Sequence, residues 1–208
     1  LNLLLNEQQD KAIDAFIEAV QNDPDTTELH FALGNLFRRR GEFERAVRVH
    51  QHLLQRGDLS QADRHRAQHA LAHDFMKAGL FDRAEAAFRA LLGTPFDTDA
   101  RLALLGLYER SRDWRAAADM ATQLEKTGTG SFATRVAHCE CEIALEADAR
   151  GDAATAEAAL EAARRAAPQA SRPLIQQAQR LARLGQPGAA FEIGNLLRQR
   201  NPEALVRL

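Results

Sequence analysis

One spaced pattern of apolar and small residues returns along the 208-residue chain, and self-similarity of this kind constrains a fold more tightly than any single motif. Its clearest copy runs from Glu28 to Gln55, ELHFALGNLFRRRGEFERAVRVHQHLLQ. Apolar or small residues recur at helical spacing on both sides of Gly41, which predicts two amphipathic helices joined by a turn at that glycine. The first helix sets Leu33, Gly34 and Phe37 on one face, and the second sets Ala46, His50 and Leu53 on one face. Gly34 and Ala46 are small where a partner helix comes close, and Phe37 and Phe43 are large where a gap needs filling.

With Ala46 as anchor, the same pattern is read five more times. A partial first copy carries Ala12, Phe16, Ala19 and Pro24, its Ala12 standing 34 residues before Ala46. The third has Leu71, Ala72, Phe75, Gly79, Phe81, Ala84, Phe88 and Leu91, with about four residues inserted around the polar GDLSQ connection. The fourth has Leu104, Leu105, Tyr108, Trp114, Ala117, Ala121 and Leu124, and its turn carries Arg112 and Asp113 in place of glycine. The TGTGS segment from Thr127 to Ser131 then reads as a loop. The fifth runs through Ile143, Ala144, Ala147, Gly151, Ala156, Leu160, Ala163 and Pro168, and the sixth through Leu174, Ala178, Leu181, Gly185, Ala190, Leu197 and Pro202.

A small residue in each helix, aromatics near the turn and a 34-residue step are the signature of a tetratricopeptide repeat. The expected fold class is all-α, a right-handed superhelical solenoid of about six such repeats, the first and last incomplete or uncapped. A single repeat domain over 1–208 is expected, with repeats roughly at 1–26, 27–59, 65–97, 98–131, 137–170 and 171–204. Its structural positions are Gly34, Phe37, Gly41, Ala46, Gly79, Ala84, Ala117, Ala156 and Ala190. The chain opens within the apolar run LNLLL and closes on EALVRL, so it reads as a piece of a longer protein.

A net charge of -2, from 27 basic and 29 acidic side chains, supplies no global field for nucleic acid or anionic lipid. Lys11, Lys77 and Lys126 are the only lysines, so the basic side chains are overwhelmingly arginine, the better residue for bidentate carboxylate contacts. Cys139 and Cys141 stand two apart in a helical stretch and point in different directions, which argues against a disulfide; without a second pair they fall short of a zinc site. No apolar run approaches the roughly 20 residues that span a bilayer. A soluble chain is expected.

His65, His69 and His73 are spaced four apart and form one helical stripe, but no H-E-x-x-H motif or cysteine pair accompanies them. The stripe is read as partner contact, and no metal and no catalytic residue are assigned. On the face of the first helices opposite the packing positions, Asn35, Arg38 and Arg39 should stand beside Arg66, His69, His73 and Lys77. That is a locally basic groove suited to an acidic segment of a partner. The bland alternative for the Arg38–Arg40 run is a solvated helix end that complements the helix dipole. No Ser-His-Asp, Walker or dinucleotide-binding pattern is present, so an enzyme is not expected.

The strings NEQQDKAIDAFIEAVQNDPDTTELHFALGNLFRRRGEFERAVRVHQHLL, HDFMKAGLFDRAEAAFRALL and RVAHCECEIALEA closely resemble the lipopolysaccharide assembly protein B family of Gram-negative bacteria, over nearly the whole chain. The resemblance implies an adaptor on the cytoplasmic face of the inner membrane, anchored by one N-terminal helix that this sequence lacks. It implies zinc only in a C-terminal rubredoxin-like domain, also absent here. The implied partners are the membrane AAA+ protease FtsH, the deacetylase that commits precursor to lipid A, and an inner-membrane lipopolysaccharide sensor. Two readings compete with it. One is a generic repeat scaffold or co-chaperone, against which Ala32, Ala70, Ala103, Glu142 and Gln176 stand where an acidic-tail clamp wants Asn or Arg. The other is a histidine-dependent metalloprotein.

Overall fold

Every regular element that the computed structural model describes, over residues 27–128 and 130–201, is an α-helix. In chain order these are α1 (Thr27–Arg40), α2 (Phe43–Gln55), α3 (Gln61–Lys77), α4 (Phe81–Arg89), α5 (Asp97–Ser111), α6 (Trp114–Thr127), α7 (Ala133–Ala149), α8 (Ala153–Ala166), α9 (Ser171–Arg183) and α10 (Pro187–Arg200). They are five helix pairs of an all-α repeat fold. The partial first copy over 1–26, Thr129 and the stretch from Pro202 onward lie outside the described residues. None of the described helices is long and apolar enough to cross a membrane.

All five pairs turn in the same way. The backbone N–H five residues on donates to the carbonyl of the last apolar packing residue: Glu42 to Phe37, Leu80 to Phe75, Asp113 to Tyr108 and Asp152 to Ala147 at 2.9 Å, and Gln186 to Leu181 at 3.0 Å. This six-to-one bond is the Schellman closure, which needs a left-handed residue just before the donor. Gly41, Gly79, Gly151 and Gly185 supply it with φ between 71° and 80°. In the fourth repeat Arg112 occupies that position at φ 60°, so the glycine-free turn keeps the geometry and carries the strain of a side chain there.

The irregular spacing between repeats is absorbed differently from what the sequence pattern suggests. The insertion near GDLSQ does not lengthen a loop. Instead α3 begins at Gln61, capped by Ser60 whose Oγ accepts from the Asp63 N–H at 3.1 Å, and runs 17 residues against 14 in α1. The longer step before the fifth repeat likewise goes into α7, also 17 residues, which starts at Ala133 rather than at 137. Both additions extend the first helix of a pair by about one turn at its N-terminus.

The described chain divides into two compact units at Ala100, within α5. In the first, α1 packs on α2, α2 on α3 and α3 on α4, with α1 also touching α3. Phe31, Leu53 and Ala67 form one core cluster, closed by Leu54 and Leu59. Phe37, Ala46 and Val49 form another, with Leu33 against it. In the second unit α6 packs on α7, α7 on α8, and α9 on α7, α8 and α10. The anchors Ala46, Ala84, Ala117 and Ala156 are fully buried. Ala190 is only half-buried: the apolar side of α10 is closed against α9 by Leu174, Ile175, Ile193, Leu196 and Leu197, while residues 184–189 face solvent.

Gly34 meets α2 at His50. It lies against the His50 imidazole, so closely that a Cβ on residue 34 would stand 2.4 Å from His50 Cε1 and Nε2. Ala46 packs with Phe37 and Val49.

Candidate protein-binding face

All seven side chains of the expected groove lie in the first unit, on α1 and α3, which are the first helices of consecutive pairs and pack side by side. The contacts they make are unequal. Arg38 is the most constrained. Its Nη1 donates to Asp74 Oδ1 and to the Ala70 carbonyl, both at 3.0 Å, and its Nη2 donates to Asn35 Oδ1 at 2.5 Å. Asp74 is fully buried, and its second oxygen accepts from His50 Nδ1 at 2.5 Å. One buried carboxylate therefore ties α1, α2 and α3 together.

Arg66 of α3 is paired in the opposite direction. It grips both oxygens of Glu28 at the start of α1, one at 3.0 Å, and its guanidinium lies 4.0 Å from the centroid of the Phe31 ring. The hydrogen bond from Arg66 holds the Glu28 carboxyl below the usual carboxylate range, and the same contact raises Arg66. The basic patch expected from the sequence is thus largely neutralised from within: Glu28 and Asp74 cancel two of its arginines. Arg39 and Lys77 remain as exposed cations.

The histidine stripe divides as well. His69 and His73 face each other, Nε2 to Nε2 at 3.2 Å, with their rings edge to face. His69 stacks on Phe96 and His73 meets the edge of Phe88. Burial lowers the pKa of both. His73 falls to about 4, with His69 and Arg38 adding to the effect, while for His69 the Asp99 carboxylate, 3.9 Å from its Nε2, opposes the shift. Among the described residues no group of three or more His, Cys, Asp or Glu side chains is placed to hold a metal ion.

The second unit repeats the arginine–carboxylate device between its own first helices. Arg135 of α7 holds Glu109 of α5 through two nitrogens, at 3.0 and 2.5 Å. Arg172 of α9 holds Glu142 of α7, and Arg180 holds Asp148 at 2.8 Å while reaching the Ala153 carbonyl at 3.1 Å. Glu142 and Gln176, at the position where a clamp would want Asn or Arg, are engaged internally; Gln176 donates to the Cys141 carbonyl at 2.8 Å. Cys139 and Cys141 are buried free thiols, pushed up to about 11 by burial. They pack in the core, where burial disfavours the thiolate form.

Sequence reasoning placed the arginines but missed their partners. Glu28, His50 and Asp74 belong to no motif, but two of them left a trace: His50 stands on the packing face with Ala46 and Leu53, and Asp74 is a carboxylate set among Leu71, Ala72 and Phe75.

A family model described as "Tetratricopeptide repeat" matches residues 29–65, which span most of α1, all of α2 and the start of α3. Lipopolysaccharide assembly protein B of Escherichia coli (strain K12) is 42% identical over 153 residues, covering 73% of this chain and 39% of that protein. The protein of the same name from Haemophilus influenzae is 36% identical over 151 residues, covering 68% of this chain and 38% of that protein. The chain therefore spans well under half the length of these curated relatives. Among solved structures, a crystal structure of MamA protein covers 88% of this chain and 95% of its own, at 18% identity and a TM-score of 0.49.

Proposed function

We infer the function from the premise that this chain belongs to the lipopolysaccharide assembly protein B family, and we propose that it is a non-enzymatic adaptor in the control of lipopolysaccharide output. The observation that carries the proposal is the 42% identity over 153 residues to the Escherichia coli protein of that name. In this reading the repeats sit at the cytoplasmic face of the inner membrane as part of a longer protein. They bring the membrane AAA+ protease FtsH together with the lipid A pathway deacetylase, whose destruction limits lipid A synthesis, under an inner-membrane lipopolysaccharide sensor. The bond-breaking chemistry belongs to the protease. The zinc that the family's rubredoxin-like segment implies lies in that segment.

The α1/α3 region supports a contact role because its internal ion pairs fix the two helices and leave Arg39 and Lys77 on an ordered surface. An acidic segment of a partner would find cations there whose helices do not have to be ordered on binding. Charge reversal at Arg38 is a poor probe, since it would break the buried Asp74 pair. Arg39→Glu with Lys77→Glu is the appropriate one. The double variant, in the protein with its flanking segments, should bind the deacetylase or FtsH about tenfold more weakly at low salt, with the difference shrinking as salt is added. Equal affinity at low salt would remove this face from the proposal and leave a generic repeat scaffold that binds elsewhere.

A further inference from the structure

The sequence spacing leaves three histidines in one stripe, and the structure selects two of them. A metal ion bound by two imidazoles at about 2.0–2.1 Å holds its donor nitrogens roughly 3 Å apart in octahedral or tetrahedral geometry. His69 Nε2 and His73 Nε2 stand 3.2 Å apart, which matches that bite. Their rings are already set by neighbours, His69 on Phe96 and His73 on Phe88, so chelation would order little that is not ordered. We propose that His69 and His73 form a two-point chelate for a borderline divalent transition ion, of the Zn2+, Ni2+ or Cu2+ class, with water completing the coordination.

The surrounding charge is compatible with a cation. Asp99, on the first turn of α5, places Oδ2 3.9 Å from His69 Nε2 and is well exposed, so a rotation of its side chain can bring it toward a bound ion. Asp74 lies on the same helix. Arg38 is the opposing cation, and its charge is answered by Asp74 at 3.0 Å. Imidazole binds a metal through a ring nitrogen that carries no proton. Without a metal, one Nε2–H donates to the other Nε2; as the ion binds, that ring passes to its Nδ1–H tautomer by proton exchange with water, and both Nε2 atoms become donors to the metal. Two nitrogens on one helix face make an open chelate rather than a closed structural site, so the affinity should follow the order Cu2+ above Ni2+ and Zn2+.

The test is calorimetric titration of the metal-free, untagged chain with NiCl2 and with ZnCl2. One equivalent should bind saturably. The saturable phase should vanish in His69→Gln and in His73→Gln and persist in His65→Gln, with melting curves confirming that each variant is folded. Should either glutamine variant fail to fold, imidazole nitrogen resonances of the unaltered chain decide, because zinc should move those of His69 and His73 before any other. Absence of saturable binding, loss with His65→Gln but not His73→Gln, or zinc-induced shifts confined to other histidines would each overturn the proposal.

Discussion

Asp74 of α3 accepts at one oxygen from Arg38 of α1 and at the other from His50 of α2, and the carboxylate is fully buried. A buried carboxylate costs desolvation that only its partners offset, so removing it strands both donors. Asp74→Ala should lower unfolding free energy by about 3–5 kcal/mol, measured by urea denaturation. A loss below about 1 kcal/mol would show that the three-helix tie is not a significant source of stability.

Two helical glycines should respond with opposite sign. A Cβ at Gly34 would overlap the His50 ring, which Asp74 prevents from retreating, so Gly34→Ala should cost about 1–3 kcal/mol. Gly106, within α5, has nothing within 4 Å of an added Cβ, so Gly106→Ala should stabilise by up to about 1 kcal/mol through helix propensity. Paired melts of the two variants check both, and equal effects would refute the tight contact at residue 34.

Arg112 tests whether the turns are equivalent. Its positive φ stands where four other repeats use glycine, so Arg112→Gly should stabilise by about 0.5–1 kcal/mol despite the added flexibility of the unfolded chain. The exposed Gly41, at φ +80°, should show the converse, with Gly41→Ala destabilising by about 1 kcal/mol.

Acid sensitivity follows from the histidines. His69 and His73 have lowered pKa values in the fold, so below the usual imidazole value of about 6.5 the unfolded chain binds protons that the folded chain refuses. Their contribution to stability is full above 6.5 and is lost as pH falls toward about 4. Melting temperature should therefore drop between about pH 7 and about pH 5, before most carboxylates titrate. His69→Gln with His73→Gln should flatten that slope. His52, also lowered by burial, should leave a residual dependence.

The repeat register was legible because packing positions recur with helical period and four turns carry glycine, a residue with a conformational reason to be there. Arg112 hid one turn, since a side chain in a left-handed conformation leaves no compositional mark. The early starts of α3 and α7 were hidden because polar QADRH and ATRV look like connections until Ser60 is seen to cap the former. The site was half legible. Arg38 and Arg66 declare themselves, whereas Asp74 and Glu28 lie 36 and 38 residues from their partners, a distance that no pattern within one helix can register.

If the chain acts by bringing protease and substrate together, as proposed, reconstituted turnover will register it. Purified FtsH and the lipid A pathway deacetylase in proteoliposomes should be assayed for deacetylase half-life with and without the full-length protein that contains these repeats. Degradation should be faster with the full-length protein, and slower again when the repeats carry Arg39→Glu with Lys77→Glu at low salt. A half-life unchanged by the full-length protein would contradict it.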